Sequence, residues 1–301
     1  MTIYYKALDL DGINDYVDCG DDAATRISNN LSVMTCIYVD GSQPKEKQIL
    51  TKYNWMTEDY RTWSMCTGFS TNQRFRVLVF AASGAWADRK DYETKDDVLT
   101  AGWHMVGFTF VSGVLKLIVD GVEQTVNKFS DYTVNTLYSG ANSPVVMASR
   151  GTDGTPDGFL ACRLCNTSIW DTAVLSEANF ATLWGSGTPT DPADLTPAGG
   201  GSLVASWCWN TAITYPTIPD NTGSSDGTMT NMTAGDIVDS PWAWLPSTAV
   251  RPFLYNRATK TSDGSYTSWL SPSPNSDTLM TYHPDALDPA DYTDFVVTGG
   301  V

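Results

Sequence analysis

The chain has 301 residues, 42% of them hydrophobic, so it can bury a sizeable core and wholesale disorder is excluded. Asp and Glu outnumber Lys and Arg by 34 to 18, which gives a formal net charge of −16. Because phosphate backbones repel so acidic a chain, we expect no nucleic-acid partner. No apolar run reaches the ~18 residues of a membrane-spanning helix, so no membrane partner is expected either.

The predicted elements are mostly short strands. The acidic residues are nearly all Asp, which favours turns, whereas Glu, which favours helices, occupies only five positions. One short helix is predicted at 176–184, where Ser176 can act as the N-cap. The predicted strands, in chain order, are 7–10, 16–19, 32–40, 48–53, 61–67, 75–80, 103–110, 114–119, 145–149, 158–170 and 203–209.

The run from 103 to 123 is the clearest strand pair. Apolar residues alternate along both halves, which places one face of each strand in a core and the other in solvent. Gly113 and Gly121 supply the positive φ that the two tight turns require. The alternating residues are Val106, Phe108 and Phe110 in the first strand and Leu115, Leu117 and Val119 in the second.

The composition changes in the last third of the chain. Residues 185–201 are rich in Gly, Pro, Thr and Asp and are predicted to be a loop, after which strand-like residues resume. We predict one domain over residues 1–245 and an extended C-terminal tail over residues 246–301, where the alternation weakens. Aromatic residues along the tail are candidate contacts for docking to another subunit: Phe253, Tyr255, Tyr266, Trp269 and Tyr282.

Five segments carry a resemblance to a known family. They are ALDLDGINDYVDCG (7–20), LSVMTCIYVD (31–40), ILTKYN (49–54), WHMVGFTFVSGVLKLIVDGVE (103–123) and MASRGTDGTPDGFLACRLCNTSIWDTAVLSEANFATLW (147–184). In this order they resemble laminin-G-like, concanavalin A-like lectin/glucanase domains. The resemblance covers residues 1–185 and implies an all-β fold, a two-sheet antiparallel β-sandwich (a concanavalin-like jelly roll) completed by strands within 203–241. Such domains bind carbohydrates or proteins more often than they catalyse reactions.

Two departures limit what the resemblance implies. Leu164, Cys165 and Asn166 stand where the family carries an acidic pair, so no chemistry or metal ligation is transferred to that strand. A further element, LVASWCWN (203–210) with residues 219–241, resembles one that usually precedes the jelly roll but follows it here. The end of this element is similar to segments of tailed-phage structural proteins with concanavalin-like domains, which implies a virion setting.

Catalysis is not expected. Glycosidases of this fold use carboxylates on one strand face, usually as ExDxxE, and the isolated Glu residues form no such string. The two histidines, His104 and His283, belong to no recognisable triad or zinc motif, and His104 is predicted to be structural. Because the N-terminus shows no export signal, Cys162 and Cys165 are predicted to be buried, reduced thiols.

Calcium is the one cofactor that the sequence suggests. Ca²⁺ binds six to eight oxygens, which Asp carboxylates and loop carbonyls can provide. Such carboxylates flank two glycine-containing turns, and the alternative is that they only cap these turns by accepting hydrogen bonds from backbone N–H groups. The candidate ligands are Asp9, Asp11 and Asp15 at the first turn and Asp153 and Asp157 at the second.

Sugar binding would need exposed aromatic rings that stack on pyranose faces. Four aromatic residues lie in or near loops between predicted strands, with Asp59 and Asp88 alongside. The alternative is that these rings fill the core or face another subunit. The candidate carbohydrate contacts are Trp55, Tyr60, Trp63 and Trp86.

These observations favour a non-enzymatic virion structural or decoration protein that displays a lectin-like jelly roll on a phage capsid or tail and adheres to glycans. Its expected partners are other capsid or tail proteins, further copies of itself, and glycans. Its expected location is the virion, assembled in the host cytoplasm. Two alternatives stay open, namely a carbohydrate-binding module of a fibre or surface protein and a divergent glycoside hydrolase.

Overall fold

The computed structural model divides the chain into two units, Met1–Trp244 and Leu245–Val301. It describes residues 3–41, 43–54, 60–151, 156–171, 175–185, 187, 189, 195, 201–207, 213–223, 225–244, 258–260, 266–270, 278–282 and 296–297. Within these ranges, no helix is long and apolar enough to cross a membrane.

Seventeen strands lie in the described part of the first unit. In chain order they are β1 (Ile3–Asp11), β2 (Tyr16–Asp18), β3 (Leu31–Val39), β4 (Gln48–Tyr53), β5 (Arg61–Thr67), β6 (Phe75–Phe80), β7 (Arg89–Thr94), β8 (Gly102–Val111), β9 (Val114–Val119), β10 (Val122–Glu123), β11 (Val126–Asp131), β12 (Val145–Met147), β13 (Ala161–Asp171), β14 (Ser202–Trp207), β15 (Thr217–Ile218), β16 (Gly227–Thr230) and β17 (Ile237–Trp244).

The strands form two antiparallel sheets that enclose one core, which confirms the predicted β-sandwich. The eight-stranded sheet has the order β10-β9-β8-β3-β13-β1-β17, with β14 also paired to β13. The nine-stranded sheet has the order β11-β7-β6-β5-β4-β12-β2-β16-β15. Between them, Trp63 of β5 packs edge-on against Phe108 of β8 with ring centroids 5.7 Å apart, and both side chains are buried.

Two strands of the nine-stranded sheet, β7 and β11, are not among the predicted strands. Their sequences, RKDYET and VNKFSD, lack the apolar alternation on which strand prediction depends. In β7 the polar side chains are nevertheless buried, because Asp91 and Glu93 form ion pairs with arginines of neighbouring elements. The sheet therefore continues across a segment that looks like a loop in the sequence.

The predicted helix is present as α1 (Glu177–Trp184). Ser176 caps its N-terminus in a capping box with Asn179, and Gly185 ends it in the left-handed conformation. The helix packs on the eight-stranded sheet through Phe180, and a Cβ added at Gly107 would lie only 2.7 Å from the Phe180 ring. Glycine at this position of β8 is what allows the close approach.

The element that follows the jelly roll supplies strands to both sheets. β14 pairs with the second half of β13, while β17 pairs with β1 in a register that sets Trp244 opposite Ile3. β16 pairs with β2 in the other sheet. The two ends of the first unit are thus neighbours, so placing this element last rather than first in the chain preserves the same strand pairing.

The described part of the second unit is a four-stranded antiparallel sheet rather than an extended tail. Its strands are β18 (Ala258–Lys260), β19 (Tyr266–Leu270), β20 (Thr278–Tyr282) and β21 (Val296–Val297), paired in this order. Of the predicted docking residues, Tyr266, Trp269 and Tyr282 lie in these strands. Phe253 and Tyr255 lie outside the described residues, and docking by this unit stays a prediction.

Candidate functional site

The outer face of the nine-stranded sheet carries a second cluster of apolar side chains. Because side chains alternate along a strand, the residues next to the inward-facing Phe75, Val77 and Val79 point away from the core. The outer cluster is separate from the main core and its side chains are at most 5% exposed. It consists of Tyr53, Cys66, Leu78 and Phe80.

A depression opens over this cluster. Its empty volume is about 320 Å³, part of which is open solvent. Cys66 and Leu78 contribute apolar surface to it, while Trp86, Arg76 and Arg150 contribute an aromatic ring and two guanidinium groups. Trp86 is 42% exposed, so much of its indole is available to a ligand. Glu46, Gln48, Tyr53 and Ser64 complete the lining.

Beside the depression, a network of ion pairs surrounds the fully buried carboxylate of Asp91. Arg76 donates from Nε and Nη2 to the two oxygens of Asp91, at 2.7 and 2.8 Å, and from Nη1 to Glu46 at 2.8 Å. Arg89 donates to the same carboxylate from Nε and Nη2 at 3.2 and 3.1 Å. Burial would lower the pKa of Arg76, but Asp91 and Glu46 raise it above its ordinary value, so this guanidinium stays charged.

Trp86 is held by its neighbours on the same face. The Arg89 guanidinium lies 3.9 Å from the Trp86 ring centroid, and an Arg89 N–H also donates to the Trp86 carbonyl oxygen. The Phe80 ring is 5.9 Å away at an angle of 43°, and the Arg61 guanidinium is also 5.9 Å from the indole. The ring therefore has a defined position together with an exposed surface.

Two more exposed aromatic rings stand near Arg76. Phe69 and Phe129 are 53% and 46% exposed, and their centroids are 5.6 Å apart in an edge-on arrangement. The Arg76 guanidinium lies 5.4 Å from the first ring and 5.7 Å from the second. Arg76 thus links this aromatic pair to the depression that it lines.

The structure separates the four predicted carbohydrate contacts. Trp86 lines the depression. The prediction for Trp63 is wrong, because its indole is 1% exposed and packs inside the core, where no sugar can reach it. Tyr60 is partly buried with its ring 5.9 Å from that of Tyr138, and Trp55 lies outside the described residues.

Sequence analysis did not predict the arginines of this face. Arg76 interrupts the apolar run FRVLVF at an outward-facing position, which is a recognisable signal for a functional or paired charge. Its partners could not be identified from the sequence, because Glu46 and Asp91 come from different parts of the chain. Arg89 lies in β7, which was itself not predicted.

The first predicted calcium site is wrong, because its carboxylates serve as turn caps and in an ion pair. Asp11 Oδ1 accepts from the backbone N–H groups of Ile13 and Asn14 at 2.7 and 3.2 Å. Asp15 Oδ2 accepts from the Asp11 N–H at 3.1 Å. Asp9 pairs with Arg163 at 3.3 Å. Burial, together with nearby carboxylates, raises the pKa of Asp15.

The second predicted calcium site is not formed by the described residues either. Asp157 pairs with Arg150 at 3.0 Å, and Asp153 lies outside the described residues. Across the described part of the chain, no group of three or more His, Cys, Asp or Glu side chains is placed to hold a metal ion. Asp11 and Asp15 instead cap turns, which is the alternative to calcium binding that the sequence analysis left open.

The remaining candidates for chemistry that the structure describes are buried and paired or reduced, whereas His283 lies outside the described residues. His104 is 9% exposed, and its Nδ1 lies 2.8 Å from Asp120 Oδ2 while its Nε2 lies 2.9 Å from the Thr100 carbonyl oxygen. Cys162 and Cys165 are buried free thiols, as predicted, and burial raises the pKa of Cys162. Cys165 has no exposed surface, and Cys162 is 7% exposed.

Comparison with known proteins agrees with this architecture. Residues 11–179 match the family described as the concanavalin A-like lectin/glucanases superfamily. No curated protein shows significant sequence similarity to the chain.

A solved structure shows the same fold at low sequence identity. A crystal structure from Bacteroides ovatus, of a protein with a proposed carbohydrate-binding role, has a TM-score of 0.57 at 17% identity. The match covers 81% of this chain, which spans 62% of that protein's length. The heptameric SAP-like pentraxin of Limulus polyphemus has a TM-score of 0.45 at 11% identity, over 67% of this chain and 93% of the pentraxin. With its two-sheet sandwich and its family match over residues 11–179, the chain belongs to the concanavalin A-like lectin/glucanases superfamily.

Proposed function

We propose that this protein is a non-enzymatic, lectin-like adhesion protein of a virion. The depression on the outer face of the nine-stranded sheet binds glycans, and residues 246–301 attach the protein to capsid or tail proteins. The observation that carries the glycan-binding part is Trp86, an exposed indole held in place beside polar side chains.

The chemistry of the depression suits a sugar. An exposed aromatic face attracts the C–H surface of a pyranose, and polar groups around it orient the hydroxyls. Trp86 provides the ring, while Glu46, Gln48 and Ser64 provide polar atoms at the same opening. The carbohydrate-binding role proposed for the structurally similar Bacteroides ovatus protein supports this assignment.

The arrangement of carboxylates supports a binding role without catalysis. A glycosidase needs two carboxyl groups that flank the scissile bond, one of which acts as a proton donor. Glu46 lines the depression and Asp91 lies beside it; both pair with Arg76, and Asp91 has no exposed surface. Neither is placed as a proton donor to a bound sugar.

Two features support attachment through the C-terminal region. Residues 219–241 are similar to segments of tailed-phage structural proteins, and residues 245–301 form a unit of their own. The first unit ends at Trp244 in β17, an edge strand of the sheet that does not carry the depression.

A glycan array tests the binding site. We expect purified protein to bind a subset of glycans and Trp86→Ala to lose this binding while its far-ultraviolet circular dichroism stays unchanged. Tyr215→Ala is the matched control, because Tyr215 is 44% exposed but lies in the turn before β15, the last strand at the other edge of the sheet from β11. Unchanged binding by Trp86→Ala would refute the site.

Two further measurements separate the rival functions. Release of reducing sugar from any polysaccharide by clean protein would favour the glycoside hydrolase alternative. A chain ending at residue 245 should remain folded and bind glycans but fail to join virus particles. If the shortened chain still assembles into particles, attachment through residues 246–301 is wrong and the carbohydrate-binding module of a surface protein becomes the better assignment.

A further inference from the structure

We propose that the depression selects glycans that carry carboxylate or sulfate groups over neutral glycans. This inference rests on the proposed glycan-binding function and names the chemical class of its ligand. Three independent features of the depression support it: unused hydrogen-bond donors, occupied acceptors, and a local concentration of arginine in an acidic protein.

The guanidinium groups at the depression retain donors that a ligand can use. Each guanidinium carries five N–H bonds. Arg76 uses three of them on Asp91 and Glu46, and Arg89 uses three on Asp91 and the Trp86 carbonyl. Two N–H bonds on each of these residues make no hydrogen bond within the described part of the protein, and Arg76 also lines the depression. Charge-assisted bonds from arginine to an anion are stronger and more directional than bonds to a neutral hydroxyl.

The acceptors of the depression are largely occupied. Sites for neutral sugars commonly use Asp or Asn side chains to accept from sugar hydroxyls. Here both oxygens of Asp91 accept from arginines inside the protein, and Gln48 Oε1 accepts from Ser64 Oγ at 2.6 Å. Of the charged side chains that line the depression, two are the arginines Arg76 and Arg150 and one is Glu46, whose carboxylate already accepts from Arg76. This balance favours a ligand rich in acceptor oxygens.

The distribution of arginine points the same way. Of the seven arginines within residues 1–244, four lie at this depression, although the chain has a net charge of −16. Arg76 and Arg150 line it, while Arg61 and Arg89 contact the Trp86 ring. A sugar stacked on Trp86 would bring an acidic substituent within reach of these groups.

The experiment compares charged and neutral glycans of the same backbone. Dextran sulfate and dextran form one pair, and de-esterified and methyl-esterified polygalacturonan form the other. Binding to the full chain is measured by calorimetry at one fixed ionic strength. The key variant is Arg150→Gln, because Arg150 lines the depression and pairs with Asp157 at 3.0 Å.

Arg163→Gln is the matched control. Arg163 also pairs with a single partly exposed aspartate, Asp9, at 3.3 Å, but it lies on the eight-stranded sheet. If the inference holds, one or both charged glycans bind about tenfold or more tightly than their neutral partners, and Arg150→Gln removes most of that preference. Arg163→Gln leaves the preference unchanged. Preferential binding of dextran sulfate would identify sulfate as the recognised group, and preferential binding of de-esterified polygalacturonan would identify carboxylate.

The opposing outcomes are distinct. Equal affinity for charged and neutral glycans, with both affinities lost in Trp86→Ala, would overturn this inference and leave the proposed function intact. An equal loss of preference in Arg150→Gln and Arg163→Gln would also overturn it, because the attraction would then not belong to the depression. Absence of any glycan binding would overturn the inference and the proposed function together.

Discussion

Arg76 and Asp91 lie diagonally across the neighbouring strands β6 and β7, where Asp91 is opposite Leu78, and they share two hydrogen bonds of 2.7 and 2.8 Å. The exposed rings of Phe69 and Phe129 lie beside the Arg76 guanidinium. Both charged groups are buried, and Asp91 has no exposed surface. A buried pair of this kind is sensitive to the loss of either partner, because the remaining charge loses its compensation without gaining solvent.

We expect Asp91→Asn to destabilise the protein by about 3 kcal/mol or more, since Arg76 and Arg89 both lose their carboxylate partner. Urea unfolding measures this change. Glu123→Gln is the control, because Glu123 forms an exposed ion pair with Lys116 at 2.7 Å and should cost less than about 1 kcal/mol. Equal effects of the two substitutions would contradict the structural role given to Asp91.

His104 makes stability depend on pH. Burial would lower the pKa of this imidazole, but the hydrogen bond and charge of Asp120 raise it above the ordinary value of 6.5. A histidine with a raised pKa in the folded state contributes stability that is fully present below the pKa of the unfolded state. That contribution is lost as the pH rises through the folded pKa.

We therefore compare the unfolding free energy of the wild-type protein with that of His104→Gln. We expect the wild-type protein to be the more stable of the two, by a larger margin at pH 6 than at pH 9. Chemical denaturation of both proteins at the two pH values measures the difference, and the comparison cancels the titration of other groups. A difference that does not change between the two pH values would show that the His104–Asp120 contact does not titrate in this range.

Gly107 permits the contact between β8 and α1. A Cβ at this position would lie 2.6 Å from the Val33 carbonyl oxygen and 2.7 Å from the Phe180 ring, so Gly107→Ala must move the backbone or the helix. We expect a loss of about 1–3 kcal/mol in thermal or chemical unfolding. Gly235→Ala is the control, since its nearest neighbouring atom would be 3.4 Å away and little change should follow. Comparable losses would argue against tight packing at Gly107.

The two tryptophans that the sequence placed in the same class should respond differently to substitution. Trp63→Ala removes a fully buried ring and should cost about 3–5 kcal/mol of unfolding free energy. Trp86→Ala removes a partly exposed ring and should affect glycan binding far more than stability. Unfolding and glycan-binding measurements on both variants check these two expectations. A large stability loss in Trp86→Ala would contradict the expectation that this ring acts mainly in binding.

Much of the fold could be predicted from local patterns. The strands predicted at 32–40 and 75–80 correspond to β3 and β6, and the Ser176 cap marks the start of α1 as found. These features depend on residues close together in the chain, for which side-chain direction and turn preference are nearly independent of the rest of the molecule. The strand β7 was missed because partners from other elements, including Arg74 and Arg76, compensate its buried carboxylates, and the sequence does not show these contacts.

The candidate site could be predicted only in part. Trp86 was identified as an aromatic residue near a loop, but the same criterion also selected Trp63, which the sheet turns into the core. The carboxylates at Asp11 and Asp15 looked like metal ligands, and the folded turn instead directs backbone N–H groups at them. Residue type and spacing do not show whether a tryptophan is buried or exposed, or whether a carboxylate binds a metal or caps a turn. Each result depends on which groups the folded chain places next to that side chain.

By itself, the sequence determined the all-β class, the family and the order of most strands, since two-residue alternation, glycine turns and short motifs act over a few residues. Only the tertiary structure decided where a ligand can bind. Glu46, Arg76, Trp86 and Arg150 meet on one sheet face although more than a hundred residues separate the first from the last. Strand pairing between distant segments creates that proximity, and no local pattern encodes it.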